Sequence, residues 1–221
     1  MTPILAAALL LGTAAPQQPG PAPQATPGRN PRTAGLVEVA TLDPGIKLDV
    51  RYATTNNFMG RVLYSQPRVF LRGTAAQALV RAHRNLAGSG YGLLLFDGYR
   101  PWRVTKAMWD ATPPAKRSFV ANPREGSKHN RGCAVDLSMY HLDSGREVEM
   151  PSAYDEFSPR ADPSWTGGTA EQRARRDLLR RAMEAEGFTV EPNEWWHFNC
   201  RDWRQYPLLD VPFEDLPSAA R

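Results

Sequence analysis

The chain is poor in the features that staple, anchor or electrostatically mark a protein. It has two cysteines, Cys133 and Cys200, in 221 residues, too few for a disulfide framework. No block of basic residues is interleaved with aromatics, which argues against a nucleic-acid partner. The arginines between 173 and 181 share a helical stretch with Glu171, Asp177, Glu184 and Glu186 and read as one solvated helix face. The apolar run at residues 3–15 is too short to span a bilayer. No cysteine follows it, which argues against lipid attachment there. Internal repeats are absent. Histidine is scarce as well, at four residues, so each one has to be accounted for.

What is present fits one full globular domain. A hydrophobic share of 42% and a charged share of 23% are ordinary for such a domain, and the net charge of +4 is mild. Residues 1–15 end in Gly12-Thr13-Ala14-Ala15 and read as a signal peptide, although no Lys or Arg precedes the apolar run. The expected location is therefore periplasmic or extracellular, or cytoplasmic if that segment is not a signal. Residues 16–35 are rich in Pro, Gln and Gly and read as a linker. The domain is expected over 36–221. Two buried free thiols are the expected state of the cysteines, with a disulfide open in an exported chain.

Strands are expected at 36–40 and 46–52, separated by the turn signal Asp43-Pro44-Gly45, and again at 92–96, 133–140 and 194–200. Helices are expected at 74–87, 102–110 and 169–186. Thr74 with Gln77, and Thr169 with Gln172, have capping-box spacing. Short strands in irregular alternation with helices favour an α+β fold over a doubly wound sheet.

Two segments carry the chemistry. One is Ser127-Lys128-His129-Asn130-Arg131-Gly132-Cys133-Ala134-Val135-Asp136, and the other is Glu194-Trp195-Trp196-His197. Two imidazoles and one carboxylate form a three-ligand zinc set that leaves a fourth position open. The site then keeps one net positive charge, and Glu194 stands where a general base is useful. Spacing restricts how this can be built. His129 and Asp136 would lie about 10 Å apart along a helix, and on a regular strand an odd separation points them to opposite faces. The chain must therefore turn between them, at Gly132. The same parity holds for Glu194 and His197, so Glu194 is expected in a loop, with His197 on the strand. Alone, His83 reads as a helix-surface or core residue and His141 as a loop residue.

In their order, Ser-x-His, Asp and Glu-x-x-His resemble the zinc peptidases that cleave D-Ala-D-Ala, and most closely the VanX-type D-alanyl-D-alanine dipeptidases. Tyr52-Ala53-Thr54, Asn57-Phe58-Met59-Gly60 and Asp97-Gly98-Tyr99-Arg100-Pro101 belong to the same resemblance, which runs over residues 36–206. It implies a hedgehog/D,D-peptidase-like fold, with a small, mostly antiparallel sheet flanked by helices. It also implies one zinc ion on His129, Asp136 and His197, with Glu194 as catalytic base and Arg100 stabilising the oxyanion. Ser127 and Asp155 would bind substrate, Asp155 at its amino terminus. Asn130, Arg131 and Cys133 depart from other members but are not ligand positions. The implied reaction is hydrolysis of D-alanyl-D-alanine or a similar D,D-dipeptide. A carboxypeptidase or endopeptidase acting on peptidoglycan stem peptides is one alternative, and a non-catalytic zinc-stabilised binding module is another.

Overall fold

The computed structural model describes residues 35–216. The expected signal peptide and, apart from Gly35, the expected linker lie outside them. Among the described residues, no helix is long and apolar enough to cross a membrane.

A five-stranded sheet forms the centre, in the order β2-β4-β5-β7-β6. Its strands are β2 (Lys47–Leu48), β4 (Tyr91–Asp97), β5 (Ala134–His141), β6 (Phe188–Glu191) and β7 (Glu194–Cys200). All its pairings are antiparallel except β2 with β4. A separate ribbon pairs β1 (Leu36–Glu38) with β3 (Phe70–Arg72). Three helices complete the fold: α1 (Gly73–Ala87), α2 (Trp102–Ala111) and α3 (Ala170–Ala185). The α+β class is as expected, with a small, mostly antiparallel sheet flanked by helices.

The central strands are covered on both faces, which explains their unbroken apolar character. Leu93, Leu95 and Phe96 of β4 and Val135, Leu137 and Met139 of β5 are all fully buried. The helix α1 packs on β4 and α3 through Ala76, Leu79, Ala82 and Leu86, an i, i+3, i+4 stripe. His83 joins that buried face and accepts the Leu93 amide at Nδ1, 3.1 Å away. His141 closes β5 rather than lying in a loop.

Two capping boxes were expected, and one forms. Gln172 N donates to Thr169 Oγ1 at 3.1 Å and Thr169 N to Gln172 Oε1 at 2.9 Å, so α3 starts where its sequence says. At α1 the box is absent. The chain runs straight from β3 into the helix at Gly73, which leaves Thr74 inside the first turn and no side chain capping it. The expected strands 36–40 and 46–52 are also shorter than predicted, because 3-10 turns at Val39–Thr41 and Arg51–Ala53 replace their ends.

The cysteines correct the free-thiol expectation: Cys133 and Cys200 form a disulfide. Ala134 pairs with Asn199 across β5 and β7, so the register sets residues 133 and 200 opposite each other. Their Cα atoms are 5.1 Å apart, within disulfide reach. The bridge closes a separation of 67 residues. In the chain-entropy description, removing such a bridge costs about 4 kcal/mol. A Cys133→Ser/Cys200→Ser protein should lose stability on that scale in urea melts. A loss below about 1 kcal/mol would show that the bridge contributes little beyond the sheet pairing around it.

Candidate metal centre and its cleft

The two segments that carry the candidate ligands meet through sheet register. His129 begins a 3-10 turn, His129–Arg131, which ends at Gly132 in the left-handed region with φ 69°. A Cβ there would lie 2.4 Å from Leu36 Cδ2, so glycine is needed for space as well as for φ. The chain then enters β5, whose third residue is Asp136. Across the ladder, Asp136 pairs directly with His197 of β7. The turn expected between His129 and Asp136 is therefore present, at Gly132.

The three side chains converge. His129 Nε2 is 3.1 Å from His197 Nδ1 and 3.4 Å from Asp136 Oδ1, and His197 Nδ1 is 3.0 Å from Asp136 Oδ1. Tetrahedral ligands at ~2.0–2.1 Å from zinc stand about 3.3 Å from one another. Hydrogen bonds on the far side of each ring assign its tautomer. His129 Nδ1 lies 2.7 Å from the carbonyl oxygen of Gly98, and His197 Nε2 lies 2.8 Å from Asn199 Oδ1. As each of those nitrogens donates, both lone pairs on the near side point to the same spot. Asp136 Oδ1 is buried there without a well-formed hydrogen bond, while Oδ2 accepts from the Tyr154 hydroxyl at 3.0 Å. Two imidazole lone pairs and an orphaned carboxylate oxygen suit a cation. Among the described residues, this is the one three-residue cluster able to hold a metal. Burial alone would raise the Asp136 carboxyl, but the neighbouring imidazoles hold it far below the usual carboxylate range.

Glu194 is the first residue of β7, not a loop residue as expected. The parity problem is solved by a break in register instead. Val190 pairs with Phe198, but the next β6 residue, Glu191, pairs with Glu194. The irregularity lets Glu194 and His197 address the same side, with Glu194 Oε2 3.5 Å from His197 Nδ1. Burial pushes the Glu194 carboxyl up to about 7, against the opposing pull of His197.

Arg100 stands three residues past the end of β4, in the connection to α2, and is buried. Its Nε and Nη2 donate to Asp97 Oδ2 at 3.0 and 2.6 Å, and Nη2 is 3.9 Å from Asp136 Oδ2. The other Asp97 oxygen accepts from Tyr64 Oη at 2.7 Å and from Gly98 N at 2.8 Å. Arg100 is thus both ion-paired and at the centre. Ser127 Oγ accepts the His129 amide at 3.2 Å and holds the turn that carries His129. Asp155 has φ 59°, the one positive value on a non-glycine residue among those described. Its two oxygens accept from the Tyr52 hydroxyl at 3.2 and 3.0 Å. Burial, reinforced by the Asp136 charge, pushes its carboxyl well above the usual range.

All seven expected residues line one cleft of about 340 Å³. Tyr52, Phe58, Phe157, Trp196 and Trp203 form its apolar parts. Sequence reading missed the supports: Asp97 behind Arg100, Tyr154 on Asp136, and Asn199 on His197. Asn199 had a usable signal, since two residues past His197 on a strand is the same face. Tyr154 had none beyond its residue type, and Asp97 stood in the Asp97-Gly98-Tyr99-Arg100-Pro101 stretch without a role of its own.

A cleft whose floor gathers two imidazole lone pairs and a carboxylate, with a raised carboxyl and a buried arginine beside them, is built like that of a metal-dependent peptidase. The sequence comparisons agree with that class. The chain belongs to peptidase family M15, D-ala-D-ala dipeptidase, which matches residues 32–218. It is 31% identical over 181 residues to the D-alanyl-D-alanine dipeptidase of Escherichia coli K12, covering 82% of this chain and 92% of that one. The D-alanyl-D-alanine dipeptidase of Enterococcus faecalis V583 is 36% identical over 190 residues, covering 77% and 90%. That of Enterococcus faecium is 35% identical over 188 residues, covering 76% and 93%.

Proposed function

We infer that this chain hydrolyses D-alanyl-D-alanine, or a closely similar D,D-dipeptide, to free D-alanine, with zinc held by His129, Asp136 and His197. The observation that carries the reading is the convergence of those three ligand atoms beside the Glu194 carboxyl. When bound, zinc supplies Lewis acidity that acidifies water and polarises the scissile carbonyl.

The side chains supply the remainder. Glu194, as carboxylate, takes a proton from the attacking water and returns it to the leaving amine nitrogen as the C–N bond breaks, so one water and one dipeptide give two amino acids. The Arg100 guanidinium stabilises the negative charge that grows on the carbonyl oxygen. Asp97 locks it there, so its position costs no reorganisation during the reaction. Asp155 receives the substrate ammonium, whose charge would restore the ionised form that burial disfavours. Ser127 lies on the side of the substrate carboxylate. A carboxylate reserved for the amino terminus selects a dipeptide over a stem peptide, whose corresponding nitrogen is an uncharged amide.

Zinc-loaded full-length protein should release D-alanine from D-Ala-D-Ala in preference to L-Ala-D-Ala and muropeptides, assayed in parallel. No release from D-Ala-D-Ala would overturn the activity. Faster cleavage of stem peptides would replace it with a carboxypeptidase or endopeptidase reading.

A further inference from the structure

One ligand is held in a way that the other two are not. The tautomer of His129 is fixed by a backbone carbonyl, that of Gly98, which cannot turn over. The tautomer of His197 is fixed by a side-chain amide, which can. If the Asn199 amide rotated by half a turn, its NH2 group would face Nε2. The imidazole proton would then move to Nδ1, where it blocks the metal side.

The structure contains what prevents that rotation. Asn199 Nδ2 donates to Glu191 Oε2 at 2.8 Å, and Lys128 Nζ donates to the same oxygen at 2.7 Å. An ionised carboxylate only accepts and an ammonium only donates. The chain of hydrogen bonds can therefore run in one direction only: Lys128 to Glu191, Asn199 amide to Glu191, and His197 Nε2–H to Asn199. Glu191 is the last residue of β6, at the register break, and Lys128 directly precedes His129. The Lys128–Glu191 pair thus also ties the turn carrying one ligand to the hairpin carrying another. Lys128 Nζ lies over the Trp203 ring, 5.6 Å from its centroid, and each partner's side chain is about one-third exposed.

We propose that Asn199, Glu191 and Lys128 are positioning residues for the metal, acting together to hold His197 in the tautomer whose Nδ1 lone pair faces the site. The inference rests on the zinc reading above and concerns residues that do not themselves ligate. Partners behind a metal-bound histidine are worth typically 10–100-fold in affinity.

The test is the zinc dissociation constant of the full-length protein, measured by competition with a chromophoric chelator. Asn199→Leu and Glu191→Leu should each weaken zinc binding about 10–100-fold. The combination Asn199→Asp/Glu191→Gln exchanges the chemistry but keeps the direction: the aspartate accepts from His197 and from the glutamine NH2 that takes the place of Oε2, and the partly exposed Lys128 ammonium swings from that position to the glutamine oxygen. It should bind zinc within about threefold of the parent. A merely structural role would not produce that rescue. Parent-like zinc affinity in both leucine variants overturns the proposal, and so does a double variant no better than Glu191→Leu. If Asn199→Leu does not fold, Glu191→Leu at the cleft edge and the double variant decide the matter. A parent that takes up no zinc overturns the metal reading and this proposal with it, whereas a zinc-binding parent with indifferent variants overturns this proposal alone.

Discussion

Replacing Glu194 by glutamine is expected to lower kcat for D-Ala-D-Ala by about 10²–10⁴-fold, the usual worth of a positioned general base, with zinc content unchanged. Glutamine keeps the size of the side chain and its place at the start of β7 but cannot accept a proton from water. Glu194 Oε2 lies 3.5 Å from His197 Nδ1, close enough to reach a water at the site without being one of its three convergent ligands. A loss confined to kcat, with KM little altered, marks an interaction made in the transition state. The pH profile gives a second check. A general base works as the carboxylate, and burial pushes the Glu194 carboxyl up to about 7. Activity should therefore fall as pH drops through a value at or below about 7, since a bound cation would pull the carboxyl down from there. That limb should vanish in the residual activity of Glu194→Gln. A variant keeping more than about a tenth of parental kcat would remove Glu194 from the role of base.

Much of the site was legible in the sequence because its logic is local. Parity alone required a turn between His129 and Asp136, and Gly132 with φ 69° supplies it. For Glu194 and His197 the same parity correctly excluded a regular strand but did not identify the device. A register break in β7 looks, in sequence, the same as a loop. The Thr169 capping box was legible because all its partners lie within one turn. The Thr74 box failed because β3, a three-residue strand without periodicity of its own, delivers the chain directly into α1. β3 exists by pairing with β1, more than thirty residues earlier, and no local pattern reports such a partner. The same holds for the cysteines: only the β5–β7 register decides that they meet. The supporting roles of Asp97 and Tyr154 were hidden for a related reason. Each acts on a residue that the fold brings beside it, and although Asp97 stands in the Asp97-Gly98-Tyr99-Arg100-Pro101 stretch, nothing in either neighbourhood says which side chain it supports.

His129→Ala is expected to abolish stoichiometric zinc and, with it, dipeptide hydrolysis. The ligand set is minimal. With Nε2 removed, Asp136 Oδ1 and His197 Nδ1 are left 3.0 Å apart as the only protein donors of the cluster. Loss of a partner that merely orients a ligand costs 10–100-fold in affinity, so loss of the ligand itself should exceed about 100-fold. Zinc should not survive dialysis, and elemental analysis should read well below one ion per chain. The substitution also leaves the Gly98 carbonyl without the His129 Nδ1 bond of 2.7 Å, a cost of about 1–3 kcal/mol for a buried acceptor. The fold should absorb this, because β5 and β7 stay paired and bridged by Cys133–Cys200 on either side of the gap. Near-parental circular dichroism with no zinc is the expected combination. Full zinc occupancy in folded His129→Ala would discredit the ligand set and, with it, the zinc chemistry assigned to the cleft.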